Sequence, residues 1–409
     1  MKFRFTWLLM AWGVLHASAG RGQDSTQTVV FPRDRSVPVA NQRDMLDVMK
    51  GWFPTWRFRN HDPDALHRGQ KLTWVIPQIG YSPQTGFLAQ IQANMAFRNE
   101  NANVSTGVAN LAYTENQQLI FSALSNTWLA DNAWNLTGDW RVMHYPQSTH
   151  GLGMNTSLDN VIYMTFNYLR LYQSALRRVA PSLYAGLGYA LDYHWNIEAH
   201  NDRHELTRIS RYPYGVTGSS VSSGPTFSLL YDNRANSINP VRGFYTNLML
   251  RTNLRALGSD QTYQSVLLDV RKYVHLPGQS DNILAFWSYN VLTFGGNPPF
   301  LDLPSTGWDS YGNTGRGFVQ GRYRGKNLLY LETEYRFAIT RDRLLGGVAF
   351  VNAQSVSQPM TNEFTKIAPA AGLGLRLKMN KYSRTNLAVD YGFGGDGSRG
   401  LYFNLGEVF

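Results

Sequence analysis

"LTWVIPQIGYSPQTGFLAQIQANMAF", residues 72–97, is the longest uncharged run in the chain. Its length suits a membrane-spanning helix, which needs about 20 consecutive apolar residues. Its content does not. Pro77 and Pro83 each lack an amide donor and would break a helix interior. Gly80 and Gly86 interrupt the run, and Gln78, Gln84, Gln90 and Gln92 punctuate its apolar positions. Apolar and polar residues alternate instead, at the period of two that a strand imposes. The run reads as strand, turn, strand.

The same alternation recurs from residue 72 to the end of the chain, over windows of roughly 9–16 positions. It predicts strands at 72–82, 86–98, 103–116, 117–131, 133–146, 162–179, 182–198, 223–233, 243–257, 262–276, 282–295, 327–338, 344–353, 365–378, 385–394 and 400–409. That is sixteen strands, an even number, as an antiparallel bacterial outer-membrane barrel requires. Connection lengths follow the same logic. The long ones, 147–161, 199–222, 296–326 and 354–364, come after strands five, seven, eleven and thirteen. Connections after even strands are tight, apart from 234–242. Short turns on one rim and long loops on the other are the habit of a barrel with a periplasmic N-terminus.

The faces agree. In 327–338, Leu329, Leu331 and Tyr335 alternate with Glu332, Glu334 and Arg336. In 385–394, Leu387, Val389, Tyr391 and Phe393 oppose Asp390. Apolar residues toward lipid and charges toward the lumen is the economical arrangement, because a lysine or arginine facing hydrocarbon at midplane costs about 2–4 kcal/mol.

Composition narrows the class. Tyr, Phe and Trp number 23, 21 and 11, while charged residues make up only 16%. An aromatic-rich, exported chain without spanning helices matches a transmembrane β-barrel. Export is read from "MKFRFTWLLMAWGVLHASAGRGQ". Lys2 and Arg4 form a basic start, "WLLMAWGVL" a short apolar core, and "ASA" a small-residue cleavage site. Residues 1–23 are therefore expected to be a signal peptide. The absence of cysteine excludes a disulfide framework and thiolate metal sites. Formal charge is +10, and removing Lys2, Arg4 and Arg21 leaves +7. The cations are scattered, which suits anionic lipid or lipopolysaccharide better than a nucleic-acid groove. Residues 24–70 read as a short periplasmic segment ahead of a barrel at 71–409. Within it "QRDMLDVMKGWF" at 42–53 predicts a short amphipathic helix with Met45, Met49 and Phe53 on one face.

One stretch invites a different chemistry. "GRGFVQGRYRG", residues 315–325, looks at first like a glycine-rich phosphate loop. Gly315, Gly317 and Gly321 give G-x-G-x-x-x-G, one residue too long for the dinucleotide fingerprint. A strand does not precede the stretch, and a strand rather than a helix follows it. His200 and His204 in "HNDRHE" lie in a loop and lack the H-E-x-x-H pattern. "GSSVSSG" at 218–224 lacks the nucleophile elbow. No catalytic constellation, metal site or cofactor site is expected.

Several separated stretches together resemble the bacterial surface antigen group, the BamA/TamA-like outer-membrane superfamily that includes two-partner secretion transporters. "GRGF" at 315–318 is similar to that family's V-R-G-F/Y loop motif, with Gly315 in place of Val. "DNRANSINPVRGFY" at 232–245 resembles its D-x-R-x-N-x-x-x-P-x-x-G-x-x turn signature, carried by Asp232, Arg234, Pro240 and Gly243. The chain also ends in Phe409, as the family's assembly signal does, with Phe403 and Leu405 before it. The resemblance implies a sixteen-stranded barrel whose long loop between strands eleven and twelve enters the lumen. It implies that Gly315, Arg316, Gly317 and Phe318 form the loop tip, with Arg316 bonded to Glu334 on strand twelve and to an aspartate on strand thirteen. That aspartate position reads Asn352 here, which leaves Arg316 one charged partner unless Glu332 compensates.

For function, the resemblance implies an outer-membrane protein that assembles or exports proteins, with a weak seam between the first and last strands. Pro77 in strand one would weaken pairing there. No resemblance to the family's substrate-catching POTRA domains is present, so periplasmic or lipoprotein subunits would have to present unfolded protein substrates. Two other readings stay open: a pore in which lumenal cations select small anionic solutes, and a structural barrel that has lost transport activity.

Overall fold

The computed structural model describes residues 39–53, 71–82, 84–200, 212, 215–234, 236–276, 282–358 and 361–409. The expected signal peptide, most of 24–70 and most of the 199–222 loop, His204 included, lie outside the described residues. Among those described, no helix is long and apolar enough to cross a membrane.

Sixteen strands form the wall. In chain order they are β1 (Leu72–Ser82), β2 (Gly86–Arg98), β3 (Val104–Thr114), β4 (Leu119–Trp128), β5 (Trp134–His144), β6 (Ile162–Ala180), β7 (Leu183–His200) and β8 (Gly218–Asp232). Then come β9 (Gly243–Asn253), β10 (Tyr263–His275), β11 (Ile283–Phe294), β12 (Leu328–Ala338), β13 (Leu345–Val356), β14 (Ala368–Asn380), β15 (Thr385–Gly394) and β16 (Arg399–Leu405). The segment Gln147–Thr149 continues the β5 edge along β6. Each strand pairs antiparallel with the next, for example Gln78 opposite Gln90 and Glu332 opposite Asn352. The meander runs unbroken from β1 to β16. Those two end strands lie side by side, but no ladder joins them among the described residues. The barrel is nearly closed.

Alternation sorts the side chains by chemistry. Leu329, Leu331 and Tyr335 on β12 are exposed, and so are Leu373 and Leu375 on β14 and Tyr391 and Phe393 on β15. Tyr330, Glu332, Glu334, Arg336, Asn352, Arg376 and Asp390 are buried on the other face. An exposed apolar belt outside and buried charge inside inverts a soluble protein, and it is what hydrocarbon as solvent selects.

Strand bounds depart furthest from the sequence expectation at β8, β9 and β16, β9 ending at Asn253 instead of 257 because a 3-10 turn follows at Arg255–Leu257. β8 begins at Gly218 and absorbs most of the serine-rich stretch assigned to a loop. β16 stops at Leu405 instead of running to Phe409, because Gly406 adopts φ 108° and turns the chain out of the sheet. Val408 and Phe409 are then buried. The alternation of "GLYFNLGEVF" breaks at Glu407, which falls on the outward register of Leu401, Phe403 and Leu405, so the sequence does carry a signal for the end of the strand.

Ahead of the barrel, α1 (Met45–Trp52) starts at a reciprocal cap, with the Asp47 amide donating to the Asp44 side chain and the Asp44 amide to Asp47, both at 3.1 Å. Lys381, in the β14–β15 turn, holds it by donating to the Asp47 carboxylate at 2.8 Å. Lys378 donates to the Gln42 side-chain oxygen at 2.8 Å, and the Arg43 amide donates to the Asp342 carbonyl at 2.8 Å. The helix is therefore fastened to the rim below β12–β15. Trp52 and Phe53 at its end are exposed.

Candidate functional site

The connection 295–327 between β11 and β12 carries three arginines in its glycine-rich stretch, and all three are buried. Each has a different partner. Arg316 donates through one terminal nitrogen to Asp390 on β15 at 2.6 Å and through the other to both Glu332 and Glu334 on β12. Its guanidinium lies 3.9 Å from the centre of the Phe350 ring. Arg322 donates to the Thr156 hydroxyl and carbonyl, both at 2.7 Å, and reaches Asp396 at 3.3 Å. Arg324 donates within its own loop to the carbonyls of Phe300, Leu301 and Leu303 at 3.1–3.2 Å.

Glycines on both sides make the approach of Arg316 possible. Gly315 and Gly317 sit at φ 78° and 104°, where only glycine is unstrained. A Cβ on Gly317 would come within 2.8 Å of the Ala370 Cβ, and one on Gly392 of β15 within 2.7 Å of the Gly317 nitrogen. On β14, Gly374 leaves room for the Asp390 carboxylate, which a Cβ there would overlap at 1.7 Å. Phe318 is buried against Tyr323 with ring centres 5.6 Å apart. The Gly317 amide donates to the Tyr402 hydroxyl of β16 at 2.9 Å, and that hydroxyl donates to the Phe318 carbonyl at 2.8 Å.

The position where the family pattern has an acid does something else. Asn352 is buried and donates through its side-chain nitrogen to the Arg316 carbonyl at 2.8 Å. The expectation of a single charged partner for Arg316 is therefore corrected. Glu332 and Asp390 join Glu334, because the alternation that brings Asp390 inward two strands away puts its carboxylate at the same depth. Burial opposes the charge on Arg316, and these carboxylates outweigh it, holding its pKa well above the ordinary value.

The network extends to the end of the chain. Arg336 donates to Glu334 at 2.7 Å and to the Phe409 carbonyl at 2.9 Å. Arg376 donates to Asp390 at 2.5 Å and to Glu407 at 2.8 Å. The Phe409 ring stacks on Trp287 at 5.1 Å, and Asn313 of the long connection donates to the Val408 carbonyl at 2.7 Å. Phe403 and Leu405, by contrast, are exposed on the outer face, and Pro77 on β1 is exposed opposite Ile91.

The turn 233–242 closes the same rim. Arg234 grips Asp232 through two nitrogens at 2.8 and 2.9 Å and lies 4.4 Å over the Tyr245 ring. Gly243, at φ 122°, lets the chain pass Arg234, whose Cα a Cβ would meet at 2.9 Å. Asn236 caps the amides of Ile238 and Asn239 at 2.8 and 2.9 Å and donates to the Ser383 carbonyl at 3.2 Å. Pro240 is buried, and the Ile238 carbonyl accepts from the Glu407 amide at 3.4 Å. The turn thus spans from β8 to the β14–β15 turn and the tail.

A second anchor holds the connection on the far wall, and the sequence reading missed it. Asp302 accepts from the Ser222 hydroxyl of β8 and faces His194 Nδ1 of β7 at 3.6 Å. Burial, with the charge of Asp192 behind it, pushes the Asp302 carboxyl up to about 7. Nearby, Arg251 donates to Asp192 at 2.5 Å. Isolated acids in loops carry little signal, so nothing in the pattern marked Asp302. Among the described residues no group of three or more His, Asp or Glu side chains is arranged to hold a metal ion.

Comparison with known proteins places this geometry. The model of the Omp85 superfamily domain matches residues 84–409. No curated protein matches the chain in sequence. Among solved structures, BamA from Haemophilus ducreyi lacking POTRA domains 1–3 is similar at 16% identity with a TM-score of 0.53, over 82% of this chain and 70% of that one. CdiB from Acinetobacter baumannii is similar at 12% identity with a TM-score of 0.52, over 82% of this chain and 59% of that one.

Proposed function

The chain belongs to the Omp85 superfamily, and on that premise we propose that it assembles or translocates proteins in the bacterial outer membrane, working with partners that deliver unfolded substrate. Its family members are assembly and translocation barrels, not enzymes. The observation that carries the proposal is the seam: β1 and β16 lie side by side without a ladder among the described residues. A sheet edge costs free energy in hydrocarbon, where each unpaired backbone group lacks water. A barrel that keeps one has a use for it, and a lateral opening for nascent strands is such a use.

In this reading Gly315, Arg316, Gly317 and Phe318 form a loop-to-lumen lock against Glu334, Glu332 and Asn352, with Asp390 as a further acid. Pro77, Phe403, Leu405 and Phe409 belong to the seam. Asp232, Arg234, Pro240 and Gly243 shape the turn that braces the periplasmic rim, with lipid and lipopolysaccharide around the wall. The anionic-solute pore draws less support, since Arg141, Arg170, Arg251, Arg271, Arg316, Arg336 and Arg376 each sit against a carboxylate. The reading of a barrel that has lost activity rested on the weakened partner set of Arg316, which Asp390 and Glu332 restore.

Depletion of the protein followed by a proteome of the outer membrane tests the proposal. Loss of specific barrels or exported proteins is expected, and an unchanged proteome would refute it.

A further inference from the structure

The rim of long connections holds a cavity that the assembly reading does not use. It measures about 340 Å³, at the small end of the roughly 300–1,000 Å³ range of small-molecule sites. Four connections build it. Residues 154–159 line it from the 147–161 connection, Arg322 from 295–327, Lys366 from the stretch before β14 and Asp396 from the turn between β15 and β16. Met154 and Arg322 are buried, whereas Asn155, Ser157, Asp159, Lys366 and Asp396 are exposed. The cavity therefore has a closed floor and opens to solvent.

Its walls are held by bonds between the connections. The Gly153 amide donates to the Arg324 carbonyl at 2.7 Å, and the Val356 amide to the Met154 sulfur at 3.2 Å. Arg322 spends both terminal nitrogens on Thr156, and its guanidinium lies 4.3 Å from the centre of the Tyr323 ring. The buried Arg322 Nε has no partner among the described residues. Asp396, the acid bonded to Arg322, is shared three ways. It takes Arg322 at 3.3 Å, the Tyr323 hydroxyl at 3.1 Å and Lys366 at 3.7 Å. The last distance exceeds hydrogen-bond length, so the Lys366 ammonium keeps donors to give. Two cations thus share one carboxylate. The second acid of the lining, Asp159, accepts from the Ser157 hydroxyl of its own loop at 3.5 Å. A carboxylate has about four acceptor positions, and those left are open to hydroxyl donors.

We propose that this cavity binds an acidic sugar, a saccharide unit that carries a carboxylate or phosphate group. The anionic group meets the Arg322 Nε and the Lys366 ammonium in charge-assisted bonds. Ring hydroxyls meet Asp159, Asn155 and Ser157, and the C–H face meets Met154 and Leu158. No aromatic ring lines the cavity among the described residues, so a nucleobase or a neutral sugar has no stacking platform, and charge supplies the selectivity. A metal ion would meet two cations beside Asp396. In the outer-membrane reading this rim faces the cell exterior, where acidic sugars belong to lipopolysaccharide or to soluble polysaccharide. The site goes beyond the assembly role, and either can fail without the other.

The test uses the full-length barrel in detergent and saturation-transfer NMR with three probes: digalacturonate, maltose of matched size, and inorganic phosphate. Digalacturonate is expected to bind, and maltose and phosphate to give no comparable signal. Lys366→Glu reverses an exposed charge and is expected to abolish binding. Should that variant not fold, Lys366→Gln keeps the side-chain length and is expected to weaken binding several-fold. Equal binding of maltose or of phosphate, no binding of digalacturonate, or a folded Lys366 variant that binds as wild type does would each overturn the site. Displacement of digalacturonate by lipopolysaccharide micelles assigns the sugar to the surrounding outer leaflet. Binding without displacement assigns it to soluble polysaccharide, with the site standing in both cases. An outer-membrane proteome unchanged by depletion would remove the assembly role and leave this site untouched.

Discussion

Arg316 donates to Asp390 at 2.6 Å, and this contact ties the 295–327 connection to β15, two strands beyond the one that carries Asn352. Asn352 in turn holds the Arg316 main chain, not its charge. The two residues divide what the family pattern assigns to one position. Asn352→Asp, which restores the family residue, should therefore weaken this protein. The new carboxylate would face the Arg316 carbonyl and stand opposite Glu332 in the β12–β13 ladder. A drop in the temperature at which the barrel loses its heat-modified gel migration is expected. An increase would show that Asn352 is a lost partner after all.

Arg316→Ala removes the cation from among three buried carboxylates. Breaking a buried pair by deleting one member costs about 3–5 kcal/mol, and here several acids are stranded together. Arg316→Lys should rescue only in part, since an ammonium lacks the planar fork that reaches acids on two strands. Thermal unfolding in detergent, compared across the two variants, checks the order wild type, Lys, Ala.

The pH response should trace to Asp302. Its carboxyl is pushed from 3.8 up to about 7 in the folded chain by burial and by Asp192. Between those values the folded state binds a proton that the unfolded state does not, so stability falls as pH rises through the window. The groups facing it include His194, Asp192, Arg251, Arg170, Tyr263, Arg324, Tyr212 and Tyr168. Wild type should melt higher near pH 5 than near pH 8 by more than Asp302→Asn does. Identical pH slopes for the two proteins would remove Asp302 from the explanation.

Gly317→Ala tests the close approach of loop and wall. The added Cβ meets Ala370 at 2.8 Å and a backbone at φ 104°, and such strain costs about 1–3 kcal/mol. Gly395→Ala, where an added Cβ meets nothing within 4 Å, is the matched control. Protease nicking within 295–327 should rise in the first variant and not in the second.

Phe409→Ala should destabilise the tail by about 3–5 kcal/mol, the usual cost of truncating a buried aromatic. Trp287, which stacks on Phe409, gives an optical readout through its emission. An unchanged spectrum would mean that the tail does not occupy the lumen in the membrane.

Much of this architecture was legible in the chain because hydrocarbon leaves so few options. The period of two found the sixteen strands, with ends off by up to about five residues, and loop lengths sorted the two rims. What stayed hidden was contact between distant segments that share a depth. Asp390 was legible as an inward acid, but nothing in its neighbourhood pointed to Arg316. The glycines of β14 and β15 read as ordinary strand residues, although they mark where a loop backbone and a carboxylate lie against the wall. The turn at Gly406 had one signal, the charge of Glu407 on the outward register of Leu401, Phe403 and Leu405, which the aromatic end at Phe409 masked.

The connection between β11 and β12 is bonded to β5 through Arg141, to β8 through Asp302 and to β12, β13, β15 and β16 around Arg316. In mechanical terms it is a cross-brace that stiffens the strands it reaches against shear. The panel β1–β3 beside the seam has no hydrogen bond to it among the described residues, while Ile120 of β4 packs against the cluster that holds Phe300 and Leu303. Any load that parts the seam will then be taken up as bending of that panel, much as a door leaf swings from a fixed frame, with the hinge line near β4.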